Sequence, residues 1–157
     1  MSIEKNDWIK YFPFKTPRPE QVKSINYILD KFNSNSKFIV LEGPLGIGKS
    51  AIAVTVSNYF HDKFAKDKME ASYIITTQKI LQEQYVRDFP FIANITAKQN
   101  YQCENRAPGI TCDMGLTMAK ILGKGTFKQY YGNCCYVKAR SNFDTSHIGL
   151  TNLSYFL

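Results

Sequence analysis

The chain has 157 residues, of which 44% are hydrophobic and 21% charged, and its formal net charge is +7. This composition suits one packed core of ordinary size and excludes a disordered chain. No stretch approaches the roughly 18 uninterrupted apolar residues of a membrane span, and the N-terminus lacks the apolar centre of a secretory signal. We therefore expect a cytoplasmic protein with no membrane partner, whose basic charge suits a nucleic-acid partner without requiring one.

The first elements are an aromatic, proline-rich segment, a helix and a strand. Residues 11–21 read YFPFKTPRPEQ, which predicts extended backbone before a helix that starts near Pro19. The helix prediction rests on apolar residues at helical spacing, namely Val22, Ile25, Leu29 and Phe32. The short β-branched run KFIVLE, residues 37–42, then predicts a buried strand.

The eight residues after this run match the phosphate-binding pattern GxxxxGK[ST] at every fixed position: Gly43, Pro44, Leu45, Gly46, Ile47, Gly48, Lys49 and Ser50. Glycine lets backbone N–H groups curl around a phosphate where a Cβ would block the approach. We expect this loop to bind ATP, with Lys49 on the β- and γ-phosphates and Ser50 on Mg²⁺, which makes these two the catalytic candidates. The alternative is a chance glycine turn.

Strand and helix patterns alternate after the loop. Residues 51–60 are apolar nearly all round, residues 72–77 predict a second buried strand, and residues 78–89 predict another helix. This order predicts an α/β fold of the P-loop NTPase, RecA-like type, with a parallel sheet and helices on both faces. Residues 143–157 are expected to return to the sheet as a further strand.

All four cysteines lie between residues 100 and 142: Cys103, Cys112, Cys134 and Cys135. Only residues 116–123 of this segment show a weak helical pattern, and the segment has too little apolar periodicity for its own core. In a reducing cytoplasm, clustered cysteines favour a metal or iron–sulfur site over disulfides. Structural zinc usually shows Cys-x-x-Cys knuckles, which are missing here, and four unliganded thiols are the third alternative.

The chain resembles the iron–sulfur-containing superfamily 2 DNA helicases of the XPD and DinG type. Residues 11–21 look like the adenine-recognition segment of that family, which implies that Gln21 reads the adenine edge and that Arg18 lies close to the nucleotide. Residues 76–85, TTQKILQEQY, are similar to its motif Ia, which implies that Thr77 and Gln84 contact the backbone of single-stranded or forked DNA. A capped surface loop and a plain amphipathic helix are the corresponding structural alternatives.

A third resemblance lies at residues 97–103, AKQNYQC, which look like the entry to the cluster domain of that family. It implies that Cys103, Cys112, Cys134 and Cys135 hold a four-iron four-sulfur (4Fe-4S) cluster, which would substitute for the missing core. Cys134 and Cys135 are adjacent, whereas the ligands of the family are separated. One of the two is therefore a candidate non-ligand.

The acidic motif is where the chain departs most from the family. A helicase uses an Asp-Glu pair to hold Mg²⁺ and orient the attacking water, and this chain contains no Asp-Glu pair. We therefore expect the N-terminal portion of such a helicase, slow in ATP hydrolysis by itself, whose further partner is a missing second motor domain or downstream polypeptide. Residues 1–99 would belong to the first motor domain and residues 100–142 to the cysteine-rich segment. Residues 143–157 would return to the sheet of the motor domain, in truncated form. A non-motor regulatory module and an unrelated P-loop kinase are the alternatives.

Overall fold

The structure is a computed structural model that describes residues 7–65, 70–104 and 108–156. The chain forms two compact units, Met1–Ser72 and Tyr73–Leu157. Within the described ranges, none of the helices combines the length and the apolar character that crossing a bilayer requires.

The first unit is built on two helices, α1 (Pro19–Asn33) and α2 (Lys49–Phe64), with a short 3-10 helix at Asp7–Tyr11. Their apolar faces meet in one buried cluster that contains Trp8, Ile25, Leu29, Ile52 and Tyr59. The indole N–H of Trp8 donates to the side-chain oxygen of Asn26 at 2.7 Å, so the polar edge of this buried ring is satisfied. This packing holds the start of α2, where the phosphate-binding loop ends, against α1.

The strand predicted at residues 37–42 does not form. Phe38 and Val40 are 91% and 90% exposed, and the segment has no regular secondary structure. A strand needs a neighbour to satisfy its backbone N–H and C=O groups, and residues 7–65 contain no other strand in this structure. An apolar run forms a buried strand only where other elements pack on it and pair with it, so the prediction of a buried strand at residues 37–42 was wrong.

The second unit contains a three-stranded sheet in the order β1-β3-β2. Its elements are β1 (Ser72–Thr76), α3 (Lys79–Asp88), β2 (Ala93–Asn94), a 3-10 helix (Lys98–Asn100), α4 (Cys112–Ile121), α5 (Lys124–Gly132), α6 (Cys135–Thr145), β3 (Ile148–Asn152) and α7 (Leu153–Phe156). Strands β2 and β3 run parallel, with Ala93 opposite Gly149 and Asn94 opposite Leu150. Every residue of β3 is buried, as its central place requires. The mixed α/β class and the strands predicted at 72–77 and in 143–157 are confirmed.

The cysteine-rich segment is more ordered than its sequence pattern predicts. Instead of one weak helix it contains α4, α5 and α6, and it shares a buried cluster made of Ile95, Cys103, Cys112, Leu116, Ala119, Cys134, Tyr136 and Phe143. The expectation that it lacks an apolar core was therefore wrong. Buried cysteines pack as small apolar side chains, and Ile95 and Phe143 from outside the segment complete the cluster.

Candidate functional site

The phosphate-binding loop runs directly into α2, whose first residue is Lys49. Gly46 and Gly48 both have φ of +83°, a left-handed conformation that residues with a Cβ seldom adopt. A Cβ at Gly46 would meet nothing within 4 Å, whereas one at Gly48 would lie 2.3 Å from Nε2 of Gln21. Gly48 is therefore required both by its torsion and by its neighbour.

Lys49 folds back over the loop that it ends. Its Nζ donates to the carbonyl oxygen of Gly43 at 2.8 Å and to that of Pro44 at 3.1 Å. Ser50, the second residue of α2, is half-buried, while Pro44, Leu45 and Gly46 are exposed at the tip and Gly43 and Ile47 are partly covered. The ammonium group and the N-terminus of the 16-residue helix α2 thus adjoin the same loop, as binding of a phosphate requires.

Arg18 and Gln21 both lie against this loop. Nη1 of Arg18 donates to the carbonyl oxygen of Gly46 at 2.7 Å. The side-chain oxygen of Gln21 accepts from the backbone N–H of Arg18 at 2.8 Å, and Gln21 is only 5% exposed, next to Gly48. The sequence indicated a helix start at Pro19, and the family resemblance implied that Arg18 lies close to the nucleotide, but neither indicated the bond from Arg18 to Gly46.

Thr77 and Gln84 are both exposed, and Thr77 lies at a cavity. This cavity, of about 380 Å³, lies near the carboxyl ends of β1 and β3, the edge where α/β sheets bind ligands. It is lined by Thr77, Lys79, Ala97, Gln99, Asn100, Asn152, Ser154 and Tyr155. Nζ of Lys79 donates to the side-chain oxygen of Asn100 at 3.0 Å, and these described lining residues include no carboxylate. The lining therefore favours an anionic ligand.

Gln82, which the sequence pattern did not single out, is the residue of α3 that is buried. Its Nε2 donates to the side-chain oxygen of Asn94 at 2.6 Å and to the carbonyl oxygen of Ile95 at 2.8 Å, and its Oε1 accepts from Asn152 at 3.4 Å. Ile80 is 67% exposed, so the buried face of α3 is not its most apolar one. This amide links α3 to β2 and to the end of β3, where Asn152 lines the cavity.

The structure brings the four cysteines together in one core. Cys112 is the first residue of α4, and Cys134 and Cys135 are the cap and first residue of α6. The sulfurs of Cys112 and Cys135 are 3.1 Å apart, and Sγ of Cys135 donates to the carbonyl oxygen of Gln102 at 3.0 Å. Burial, followed by the hydrogen bond between Cys112 and Cys135, raises the pKa of Cys112 to about 12. All four are thiols rather than disulfides.

Among the described residues, no group of three or more His, Cys, Asp and Glu side chains has a geometry that could hold a metal ion. Two sulfurs on one zinc ion, each about 2.3 Å from it, would lie roughly 3.8 Å apart. The 3.1 Å separation of Cys112 and Cys135 is therefore a direct contact between thiols.

Comparison with known proteins gives one result. Residues 14–131, from the aromatic segment before α1 through the loop to α5, match the family ResIII, described as type III restriction enzyme, res subunit. No curated protein and no solved structure matches the chain. The family is of the superfamily 2 helicase type, with a P-loop domain, and its match implies an ATP-binding function of the nucleic-acid helicase type. Because this match covers more than half of the chain, the protein belongs to the ResIII family of helicase-type P-loop domains.

Proposed function

We propose that the chain binds ATP with Mg²⁺ at the loop Gly43–Ser50 and forms the nucleotide-binding N-terminal portion of an ATP-dependent DNA helicase of the XPD and DinG type. The observation that carries the ATP proposal is the loop itself, with left-handed Gly46 and Gly48 and with Nζ of Lys49 held on carbonyl oxygens of the loop. Phosphate oxygens would replace Gly43 and Pro44 as acceptors for Lys49. The hydroxyl of Ser50 would be the protein ligand of Mg²⁺.

Titration of wild type and Lys49→Ala with a fluorescent ATP analogue tests this site. We expect the variant to bind at least about tenfold more weakly, because it loses charge-assisted hydrogen bonds to the phosphates. Lys23→Ala is the matched control, since Lys23 is an exposed lysine of α1. Equal affinity of wild type and Lys49→Ala would contradict the proposal.

We further propose single-stranded DNA as the ligand of the cavity beside Thr77. Lys79, the hydroxyl groups of Thr77 and Ser154 and the amides of Gln99 and Asn100 are hydrogen-bond donors suited to phosphodiester oxygens. The net charge of +7 favours association with such a polyanion. Gln84, exposed on α3, is the second contact that the family resemblance implies.

Fluorescence anisotropy of a labelled oligothymidine, measured at several salt concentrations, tests this contact. Thr77→Ala and Gln84→Ala should each weaken binding, and a labelled fork measures any preference for junctions. Thr117→Ala is the control, because Thr117 is an exposed threonine of α4 whose hydroxyl donates to the carbonyl oxygen of Asp113 in the same helix. Equal affinity of Thr77→Ala and the control for DNA would contradict the proposal that DNA binds at this cavity.

For the cysteines, we propose the 4Fe-4S cluster that the resemblance implies. Two features of the site suit an anionic cluster: the donors are all sulfur, and α4 and α6 both begin at cysteines, where helix N-termini stabilise thiolates. The contacting sulfurs of Cys112 and Cys135 would have to separate to admit it. When bound, the cluster would cross-link this segment and could exchange an electron.

A further inference from the structure

We propose that Arg18 is a positioning residue for the phosphate-binding loop and strengthens triphosphate binding whichever base the nucleotide carries. The proposal rests on the proposed nucleotide site and deepens it. The family resemblance implies that Gln21 reads the adenine edge and that Arg18 lies close to the nucleotide. In this structure Arg18 bonds the backbone of the loop, and Gln21 bonds the backbone of Arg18 while its Nε2 lies against Gly48.

The backbone of Arg18 is fixed by the start of α1. Its carbonyl oxygen accepts from the N–H groups of Gln21 and Val22, both at 3.0 Å, and its own N–H donates to Oε1 of Gln21 at 2.8 Å. The ring of Pro19, at the first helical position, fixes the φ torsion of Pro19 itself, directly after Arg18. Arg18 therefore extends from a rigid point, because α1 is packed on α2 through their shared core.

The tip of the loop, by contrast, projects into solvent. Leu45 is 99% exposed, and nothing lies within 4 Å of the place that a Cβ on Gly46 would occupy. The 2.7 Å bond from Nη1 of Arg18 to the carbonyl oxygen of Gly46 ties this tip to the start of α1. A loop restrained in this way loses less conformational entropy when it closes around a phosphate.

The same bond orients a backbone N–H that can donate a hydrogen bond to a phosphate. In a trans peptide the C=O and the following N–H point in opposite directions, and the chain contains no cis peptide bond in its described part. Fixing the carbonyl oxygen of Gly46 toward Arg18 therefore fixes the direction of the N–H of Ile47, one of the loop groups that the phosphates need. The buried amide of Gln21 acts beside it, since its Nε2 lies against Gly48.

Isothermal titration calorimetry with Mg²⁺ and three ligands, ATP, GTP and inorganic tripolyphosphate, tests the role of Arg18. We expect Arg18→Gln to weaken all three by the same factor, about tenfold, because a hydrogen bond from a charged group to the loop is lost. Arg87→Gln is the matched control, as Arg87 is an exposed arginine of α3 paired with its neighbour Asp88. A variant that binds tripolyphosphate like wild type but ATP more weakly would show a contact with the base and overturn the proposal.

The variant Gly46→Ala separates positioning from direct contact with the phosphates. It strains the left-handed backbone at the end of the Arg18 bond without changing charge. If Arg18 acts through Gly46, adding Arg18→Gln to Gly46→Ala should cost less than about twofold in affinity. A full tenfold loss in that background would mean that Arg18 contacts the phosphates directly, which would also overturn the proposal.

Two further outcomes separate this proposal from the nucleotide site itself. If Lys49→Ala abolishes binding while Arg18→Gln has no effect on any of the three ligands, the positioning role is wrong and the site stands. If the wild-type chain binds none of the ligands, the site is wrong and the positioning role with it. Thermal unfolding of Arg18→Gln should match wild type, because the substitution leaves the backbone bonds at the start of α1 in place.

Discussion

Gly46 and Gly48 show how two identical residues in one loop meet different constraints. Both have φ of +83°, but only Gly48 has a side chain, that of Gln21, where a Cβ would lie. Gln21 cannot easily yield, because it is buried and its oxygen is bonded to the N–H of Arg18. The need for glycine is therefore conformational at Gly46, and both conformational and steric at Gly48.

We predict that Gly48→Ala impairs nucleotide binding more than Gly46→Ala and lowers the free energy of unfolding by roughly 1–2 kcal/mol from the torsion alone. Urea unfolding and titration with the fluorescent ATP analogue measure the two effects. Gly125→Ala is the control, since Gly125 lies in α5 with open space around it. This substitution should raise the free energy of unfolding by about 0.5–1 kcal/mol. Equal damage from the two loop substitutions would mean that the contact with Gln21 has no consequence.

At the scale of elements, helices α4 and α6 each have a cysteine at the N-terminus. Cys112 opens α4, Cys134 caps α6, and the side chains of both are buried in the same cluster as Cys103. Without metal, these thiols serve as packing, and the pKa of Cys112, raised to about 12 by burial, keeps that thiol neutral at physiological pH. A metal or cluster would have to displace those protons, so loading should become more favourable as pH rises.

Anaerobically purified or reconstituted chain is predicted to be brown and to absorb broadly near the blue end of the visible spectrum, and Cys103→Ser is predicted to abolish this colour. Loss of the cluster should also speed up hydrogen exchange in residues 100–142, while nucleotide binding at the loop is retained. A colourless protein that contains one equivalent of zinc would contradict the iron–sulfur proposal and support a zinc site. Absence of both metals after reconstitution would leave four structural thiols.

Substitution within the adjacent pair sharpens this experiment. Cys134→Ser places a favoured N-cap residue at the start of α6, so it can remove a sulfur while keeping or improving the helix. Cys135→Ser removes the sulfur that contacts Cys112. We expect the two variants to differ strongly in colour, because neighbouring side chains leave the backbone in different directions.

At the scale of the whole molecule, the candidate sites fall in separate units. The phosphate-binding loop, Arg18 and Gln21 belong to residues 1–72, whereas the cavity beside Thr77 and the cysteines belong to residues 73–157. No Asp-Glu pair occurs in the 157 residues to orient an attacking water. We therefore predict that the chain binds ATP without rapid turnover.

A coupled ATPase assay with and without single-stranded DNA is therefore expected to give a rate well below about 1 s⁻¹, the lower end of typical enzymes. Lys49→Ala supplies the background rate. DNA-stimulated turnover at or above that value would mean that another acidic residue replaces the missing pair. Binding of ATP with no effect of DNA on it would instead favour the non-motor regulatory module.

Local patterns in the sequence were sufficient for the elements whose signals are contiguous. The loop pattern at residues 43–50, the helical periodicity of α1 and the apolar runs of β1 and β3 each lie within one short stretch, and the structure forms a loop, a helix and two strands there. Such signals depend on backbone torsions and side-chain spacing, which neighbouring residues determine. The family match to residues 14–131 agrees with the helicase-type P-loop domain that the sequence predicted.

Only the tertiary structure decided which groups meet across the chain. Residues 37–42 look like a strand but have none to pair with in residues 7–65, and Gln82 rather than a more apolar side chain occupies the buried face of α3. Arg18 reaches Gly46 across 28 positions, and Cys112 reaches Cys135 across 23. These outcomes depend on burial and partners brought together by packing, so no local periodicity encodes them.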